Sequence, residues 1–192
     1  MQEVVSRHFD VPVIFSRYSL GVGCRYVFLD GESGEPRIYK VAANPVLHGM
    51  YTSEMNGETL EEISLFMTEH RAEFENKRLI LYGNIPGLSY YLDKAPAIYT
   101  AWADLNTNSL EQLKEELQEL TVSYGGNHED MPLVILSTQL AAYLSGEDDD
   151  ISWWGVDVES CEKDEKLKAI KEYMETGAYQ QVFANEAFVV YS

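Results

Sequence analysis

Polar and aromatic side chains follow three short apolar runs of this sequence, at the points where the runs end. Residues 79–82, 97–100 and 132–137 are runs of the kind that form strands. If they are neighbouring parallel strands, their carboxyl ends share one edge of a sheet, where open α/β proteins bind ligands. Hydroxyl and amide groups there could bind a hydroxylated ligand, and aromatic rings could stack on a sugar. The candidate ligand-binding residues are Asn84, Tyr90, Tyr91, Trp102, Asp104, Ser137 and Thr138.

The same residue types are also ordinary in turns and helix caps, so the pattern predicts a location and no particular chemistry. The sequence GNIPG at 83–87 lacks both the GxGxxG and the GK[ST] patterns of phosphate-binding loops. The chain also contains no GxSxG or HExxH string. We therefore assign no catalytic residue and expect no cofactor.

Metal binding is not expected either. The four histidines are scattered, and Cys24 and Cys161 lie far apart with no CxxC spacing. Whether these two cysteines form a disulfide is left open. The acidic run at 147–150 does not match a calcium-binding loop, so we interpret it as a solvated loop.

The chain is strongly acidic, with a formal net charge of −18. This charge argues against binding to nucleic acid or to an anionic membrane surface, because phosphate contacts need clusters of Lys and Arg. Three roles of the acidic residues stay open, namely solubility, binding of cations and repulsion of wrong partners. No run of 18 or more apolar residues is present, so the sequence predicts no membrane span within this chain.

The elements that would position the candidate site alternate between strand and helix through the middle of the chain. This alternation favours a three-layer, Rossmann-like α/β fold with a mostly parallel sheet and antiparallel hairpins at its N- and C-terminal edges. We expect one domain over 1–192, with 1–10 a flexible segment or the cut edge of a longer protein. Gly177 is predicted to end the last helix. The predicted helices are 58–75, 86–93, 109–120, 138–144 and 162–176; the further predicted strands are 11–15, the hairpin 24–29 with 37–42, and two strands around Asn185 and Glu186.

Several segments together resemble the C-terminal, extracytoplasmic region of bacterial multi-spanning membrane proteins that look like glycosyltransferases of the GT-C type, which use lipid-phosphate sugars. The resemblance covers about residues 24–191, and the stretch 146–160 departs from it. The segments are CRYVFLDGESGEPRIYKV at 24–41, NPVLHGMYTS at 44–53, LILYGNIPGLSYYLDKAPAIYTAWADLNT at 79–107, PLVILS at 132–137 and YQQVFANEAFVVY at 179–191.

The resemblance implies that membrane-spanning helices precede residue 1 in the parent protein and that catalysis resides in the membrane part. This chain would then be a non-catalytic accessory domain on the extracytoplasmic face of the bacterial membrane. Its expected partner is a carbohydrate or a lipid-linked sugar acceptor. Two alternatives stay open: a free-standing cytoplasmic α/β enzyme with its site at the strand ends, and an acidic protein-interaction module.

Overall fold

A computed structural model of the 192-residue chain describes most of its length. The described residues are 29–30, 35–42, 44, 46, 49–83, 85–125, 130–146 and 158–192. Several predictions therefore fall outside the described residues, namely those on segment 1–10, strand 11–15, Cys24, Asn84 and the acidic run 147–150.

Helices are present in all five regions where the sequence predicts them, with shifted ends. None of the helices in the described stretches is both long and apolar enough to cross a bilayer. The elements in chain order are β1 (Leu29–Asp30), β2 (Glu35–Pro36), β3 (Tyr39–Lys40), β4 (Tyr51–Thr52), α1 (Glu54–Glu69), α2 (Arg71–Phe74), β5 (Leu79–Tyr82), α3 (Gly87–Tyr91), α4 (Leu110–Tyr124), β6 (Leu133–Ser137), α5 (Thr138–Ser145), α6 (Val158–Thr176), β7 (Gln181–Ala184) and β8 (Phe188–Tyr191).

The main sheet has four strands in the order β5-β6-β8-β7. β5 and β6 are parallel, with Leu79 opposite Leu133. β8 is antiparallel to both of its neighbours, β6 and β7. The C-terminal hairpin is thus confirmed, and its turn is closed by the Asn185 side chain, whose Oδ1 accepts the backbone N–H of Phe188 at 2.8 Å. The sheet is mixed, with one parallel pair, and not mostly parallel.

The prediction of a strand at 97–100 is wrong. Because this strand is absent, the sheet has little parallel pairing. Only Pro96 forms a bridge beside Leu79. The Leu79 N–H donates to the Ala95 carbonyl at 3.0 Å, and the Ala97 N–H donates to the Leu79 carbonyl at 2.7 Å. Proline offers no N–H to extend a ladder. Beyond it the chain turns, so that Ile98 enters the core.

The N-terminal hairpin differs from its predicted pairing. Among the described residues, β1 pairs with β2, with Leu29 opposite Pro36 and Asp30 opposite Glu35. The predicted second arm, around Tyr39 and Lys40, pairs instead with β4, which the sequence did not predict. Gly49 makes this possible, because its φ of 86° is the turn conformation that glycine adopts without strain.

The core lies on both faces of the main sheet. Leu133 to Leu136 are all fully buried, as expected for a strand that is covered on both sides. One set of alternate strand residues, including Ile80 and Val134, packs with side chains from α4, α5 and α6. The other set, including Leu81 and Ile135, packs with side chains from α1 and α3.

The end of α6 confirms the prediction for Gly177, which directly follows the last helical residue, Thr176. The left-handed residue is Ala178, with φ 51°. The Tyr179 N–H donates to the Met174 carbonyl at 3.0 Å and the Ala178 N–H donates to the Glu175 carbonyl at 3.2 Å, which together form a Schellman motif. Space is also limited at Gly177, because a Cβ there would lie 2.5 Å from Cε of Met131 and 2.7 Å from Cε2 of Tyr179, so these side chains would have to shift.

Candidate functional site at the carboxyl edge of the sheet

The carboxyl ends of β5 and β6 lie side by side, as their parallel pairing requires. Gly83 follows β5 with φ 112°, a conformation that is open essentially to glycine. A Cβ at Gly83 would lie 2.6 Å from Oγ of Ser137 and 2.8 Å from Cδ1 of Leu140. The two strand ends are therefore packed against each other, and no room is left for a ligand atom between Gly83 and Ser137.

The two hydroxyl groups at this edge have different surroundings. Oγ1 of Thr138 donates to the Asn185 carbonyl at 2.9 Å, and the Thr138 N–H donates to the Ala187 carbonyl at 3.0 Å. Asn185 in turn donates from Nδ2 to the Thr59 carbonyl at 3.0 Å. Oγ of Ser137 is buried and has no hydrogen-bond partner among the described residues. Thr138 thus joins β6 to the β7–β8 turn, while Ser137 contributes no polar contact of this kind.

The two adjacent tyrosines of α3 differ in burial. Tyr91 is buried, and its hydroxyl donates to the Leu60 carbonyl at 3.0 Å. Burial is the main cause that raises the pKa of Tyr91. Tyr90 is 70% exposed. Only Tyr90 therefore presents a ring to solvent, while Tyr91 secures α3 to α1.

Trp102 and Asp104 lie in the connection between β5 and α4, residues 83–109, which includes α3. Trp102 is 37% exposed and its backbone N–H donates to Oγ1 of Thr100 at 3.0 Å. Asp104 is half-buried. Tyr99, which was not among the predicted site residues, is 82% exposed. Its backbone N–H donates to Oε2 of Glu116 on α4 at 3.3 Å.

The six predicted residues that the structure describes therefore do not form one closed site. Ser137 and Thr138 meet at the strand ends, and Asn84 lies outside the described residues. Tyr90 and Trp102 present exposed rings on the β5–α4 connection. No three His, Cys, Asp or Glu side chains of the described stretches are placed to hold a metal ion.

A buried polar cluster was not foreseen from the sequence. The Leu105 carbonyl accepts two hydrogen bonds, from the Asn108 N–H at 3.1 Å and from Nζ of Lys166 at 3.0 Å. Lys166 is fully buried, and Asn108 is only 2% exposed. Neither side-chain polar atom of Asn108 has a hydrogen-bond partner in the described part of the chain.

A sequence signal for part of this cluster exists. Lys166 stands four residues before Ile170, so helical periodicity places it on the apolar face of α6. Asn108 could equally have been the cap of α4, but Ser109 takes that role and accepts the Gln112 N–H at 3.2 Å.

Comparison of the chain with protein-family models, with curated proteins and with solved structures finds no significant match.

Proposed function

We propose that this chain is a non-catalytic domain that binds carbohydrate through exposed aromatic rings on the β5–α4 connection. One observation carries the proposal. Tyr90, Tyr99 and Trp102 all lie in the β5–α4 connection and are 70%, 82% and 37% exposed. Tyr and Trp combine a broad apolar face with a polar group and suit surfaces that are partly wet, such as those that stack on sugar rings.

The backbone of the connection is held in place before any ligand arrives. Oγ of Ser89 donates to the Lys94 carbonyl at 2.6 Å. Nζ of Lys94 donates to the carbonyls of Phe74 and Lys77, and burial lowers the pKa of Lys94. On the other side of the connection, Glu116 accepts the Tyr99 N–H. A surface that is already ordered loses little conformational entropy on binding, which favours affinity.

The polar groups at the strand ends support binding over catalysis. The Thr138 hydroxyl donates to a backbone carbonyl, and the Ser137 hydroxyl is packed against Gly83. A free-standing enzyme would need a titratable pair in a closed pocket at this edge. The described residues of the edge offer hydroxyl groups that are engaged or covered.

The proposal extends to fold and setting. The two side-chain clusters, one on each face of the sheet, support a three-layer, Rossmann-like arrangement. The resemblance of residues 24–191 supports an accessory domain on the extracytoplasmic face of a bacterial glycosyltransferase-like membrane protein. Its ligand would then be a carbohydrate or a lipid-linked sugar acceptor. The gene sequence upstream of Met1 tests this setting: a native start at Met1 would refute it.

A glycan array tests carbohydrate binding directly. We expect the unaltered protein to bind a subset of glycans and Trp102→Ala to lose about tenfold in affinity, which corresponds to about 1.4 kcal/mol. Tyr90→Ala should lower the affinity for the same glycans. Val122→Ala, at an exposed apolar residue of α4, is the control and should bind like the unaltered protein. Absence of binding, or equal binding by Trp102→Ala, would refute the carbohydrate proposal, provided that circular dichroism shows folded proteins.

A further inference from the structure

A groove of about 580 Å³ lies between α1 and the β7–β8 hairpin, away from the β5–α4 connection. Its floor includes Phe66 and Phe183, whose rings stack with centroids 4.7 Å apart. We call it the acidic groove. Its exposed wall consists of Met55, Glu58, Glu62, Leu65 and Glu69 of α1, with Glu186 opposite.

The wall residues of α1 are spaced three, four, three and four apart, so they form one continuous stripe on the helix. Met55 and Leu65 are both exposed although they are large and apolar, and Leu65 is 58% exposed. Ten residues of helix separate them, a distance of about 15 Å. The stripe thus offers two apolar contacts separated by carboxylates.

The charge of the groove is of one sign. Four carboxylates line it, those of Glu58, Glu62, Glu69 and Glu186, and no Lys or Arg among the described residues does. None of the four forms an ion pair or a hydrogen bond within the described part of the chain. Just beyond the groove, by contrast, Glu75 pairs with Arg71 at 3.7 Å. Glu58 and Glu62, four residues apart on one helix face, repel each other, and a bound cation would relieve this repulsion.

The opposite side of the groove is the edge of the main sheet. β7 has β8 as its neighbour, and no described strand pairs with its outer edge. Val182 is exposed there. The pairing with β8 is irregular between Gln181 and Phe183, a feature that discourages another strand from adding to an edge. A helical partner therefore fits this groove better than an added strand.

We infer that the acidic groove is a docking site for a basic amphipathic helix of a partner protein. The partner helix would place apolar side chains on Met55 and Leu65, with Lys or Arg beside the four carboxylates. A second copy of this chain is a poor occupant, because each copy carries a net charge of −18 and would add repulsion.

Fluorescence anisotropy with three labelled synthetic peptides tests the inference. The first is an amphipathic helix of Leu, Ala and Lys. The second has the same composition in an order that destroys the apolar stripe. The third replaces each Lys with Glu. We expect the first peptide to bind at least about fivefold more tightly than the second, and the third not to bind.

Matched protein variants separate docking in the groove from general attraction to an acidic protein. The double variant Glu58→Gln, Glu62→Gln should bind the first peptide about fivefold or more weakly, in line with the loss of two ion pairs at a partly exposed site. Leu65→Ser should lower the affinity for this peptide as well. The control is Glu115→Gln with Glu119→Gln, a pair of exposed carboxylates at the same spacing on α4, which should leave the affinity unchanged.

Several outcomes would overturn the inference. Equal affinity for the first and second peptides, or an equal loss in the α4 control, would show nonspecific attraction by net charge. Self-association that disappears in the Glu58→Gln and Glu62→Gln variant would assign the groove to a second copy. Because Trp102→Ala leaves this groove intact, the result is independent of the carbohydrate proposal.

Discussion

Replacing Ser137 with alanine should stabilise the domain, although Ser137 occupies the N-cap position of α5. A capping serine usually contributes about 1 kcal/mol, and its loss would destabilise the helix by that amount. The side chain of Ser137 makes no capping hydrogen bond. Its Oγ is buried, has no partner among the described residues, and points towards Gly83.

The expected magnitude follows from the hydroxyl group alone. A buried polar group without a hydrogen bond is unfavourable by about 1–3 kcal/mol. Removing one oxygen atom also removes a few packing contacts, which offsets part of the gain. We therefore expect Ser137→Ala to raise the free energy of unfolding by about 1 kcal/mol. For a chain of this length, that corresponds to a rise of about 2–4 °C in Tm.

The neighbouring residue supplies the matched control. Thr138→Val keeps the shape of the side chain and removes the hydrogen bond to the Asn185 carbonyl. It should lower the free energy of unfolding by about 1 kcal/mol. Urea denaturation followed by circular dichroism, together with thermal melts, measures both variants. If Ser137→Ala destabilises the protein as much as Thr138→Val does, the Ser137 hydroxyl has a partner or a capping role, contrary to this prediction.

Two further predictions concern backbone strain and pH. Ala178→Gly should raise the free energy of unfolding by about 1 kcal/mol, because Ala178 holds a left-handed φ of 51°. Gly125→Ala replaces glycine by alanine at a similar φ of 54° and should lower the free energy of unfolding by a similar amount. Urea titration measures both variants. Burial raises the pKa of Tyr91, Tyr173 and Tyr179, so the folded protein keeps these protons while the unfolded chain loses them above about pH 10. Their contribution to the free energy of unfolding is therefore fully present below about pH 10 and is lost as the pH rises further. The urea concentration at the unfolding midpoint should decrease when the pH is raised from about 9 to about 11, and an unchanged midpoint would contradict this.

The sequence predicts those elements whose buried residues form a clear pattern, either a continuous apolar run or an apolar stripe along a helix. The run 132–136 is apolar throughout, and β6 lies buried in the sheet as such a run requires. The leucine stripe of 109–120 likewise gives α4. The run 97–100 looks similar but is not a strand, because Pro96 interrupts the ladder beside Leu79 and α4 provides a different place to bury Ile98. Pairing partners are chosen by tertiary contacts, which short runs do not encode.

The sequence predicts residues for a candidate site, but it does not predict how their side chains are placed. The sequence places Tyr90 and Tyr91 together, yet one ring is exposed and the other is in the core, since adjacent helix positions differ by about 100°. The role of Thr138 depends on Asn185, which is 47 residues away in the chain. The acidic groove joins α1 to residues more than 100 positions later. Such contacts form between residues that are distant in the sequence, so no local sequence pattern predicts them.

The position of β8 in the sheet has a consequence for how the protein folds during synthesis. β8 lies between β6 and β7, so residues 188–191 are needed to join the edge strand β7 to the rest of the sheet. Lys77 and Ser192 are 115 residues apart and still hydrogen-bond at 3.3 Å. Until this segment has left the ribosome, the nascent chain presents β6 with an open apolar edge, a template for association with other chains. Protection by chaperones should therefore matter most in the interval between translation of β6 and release of β8.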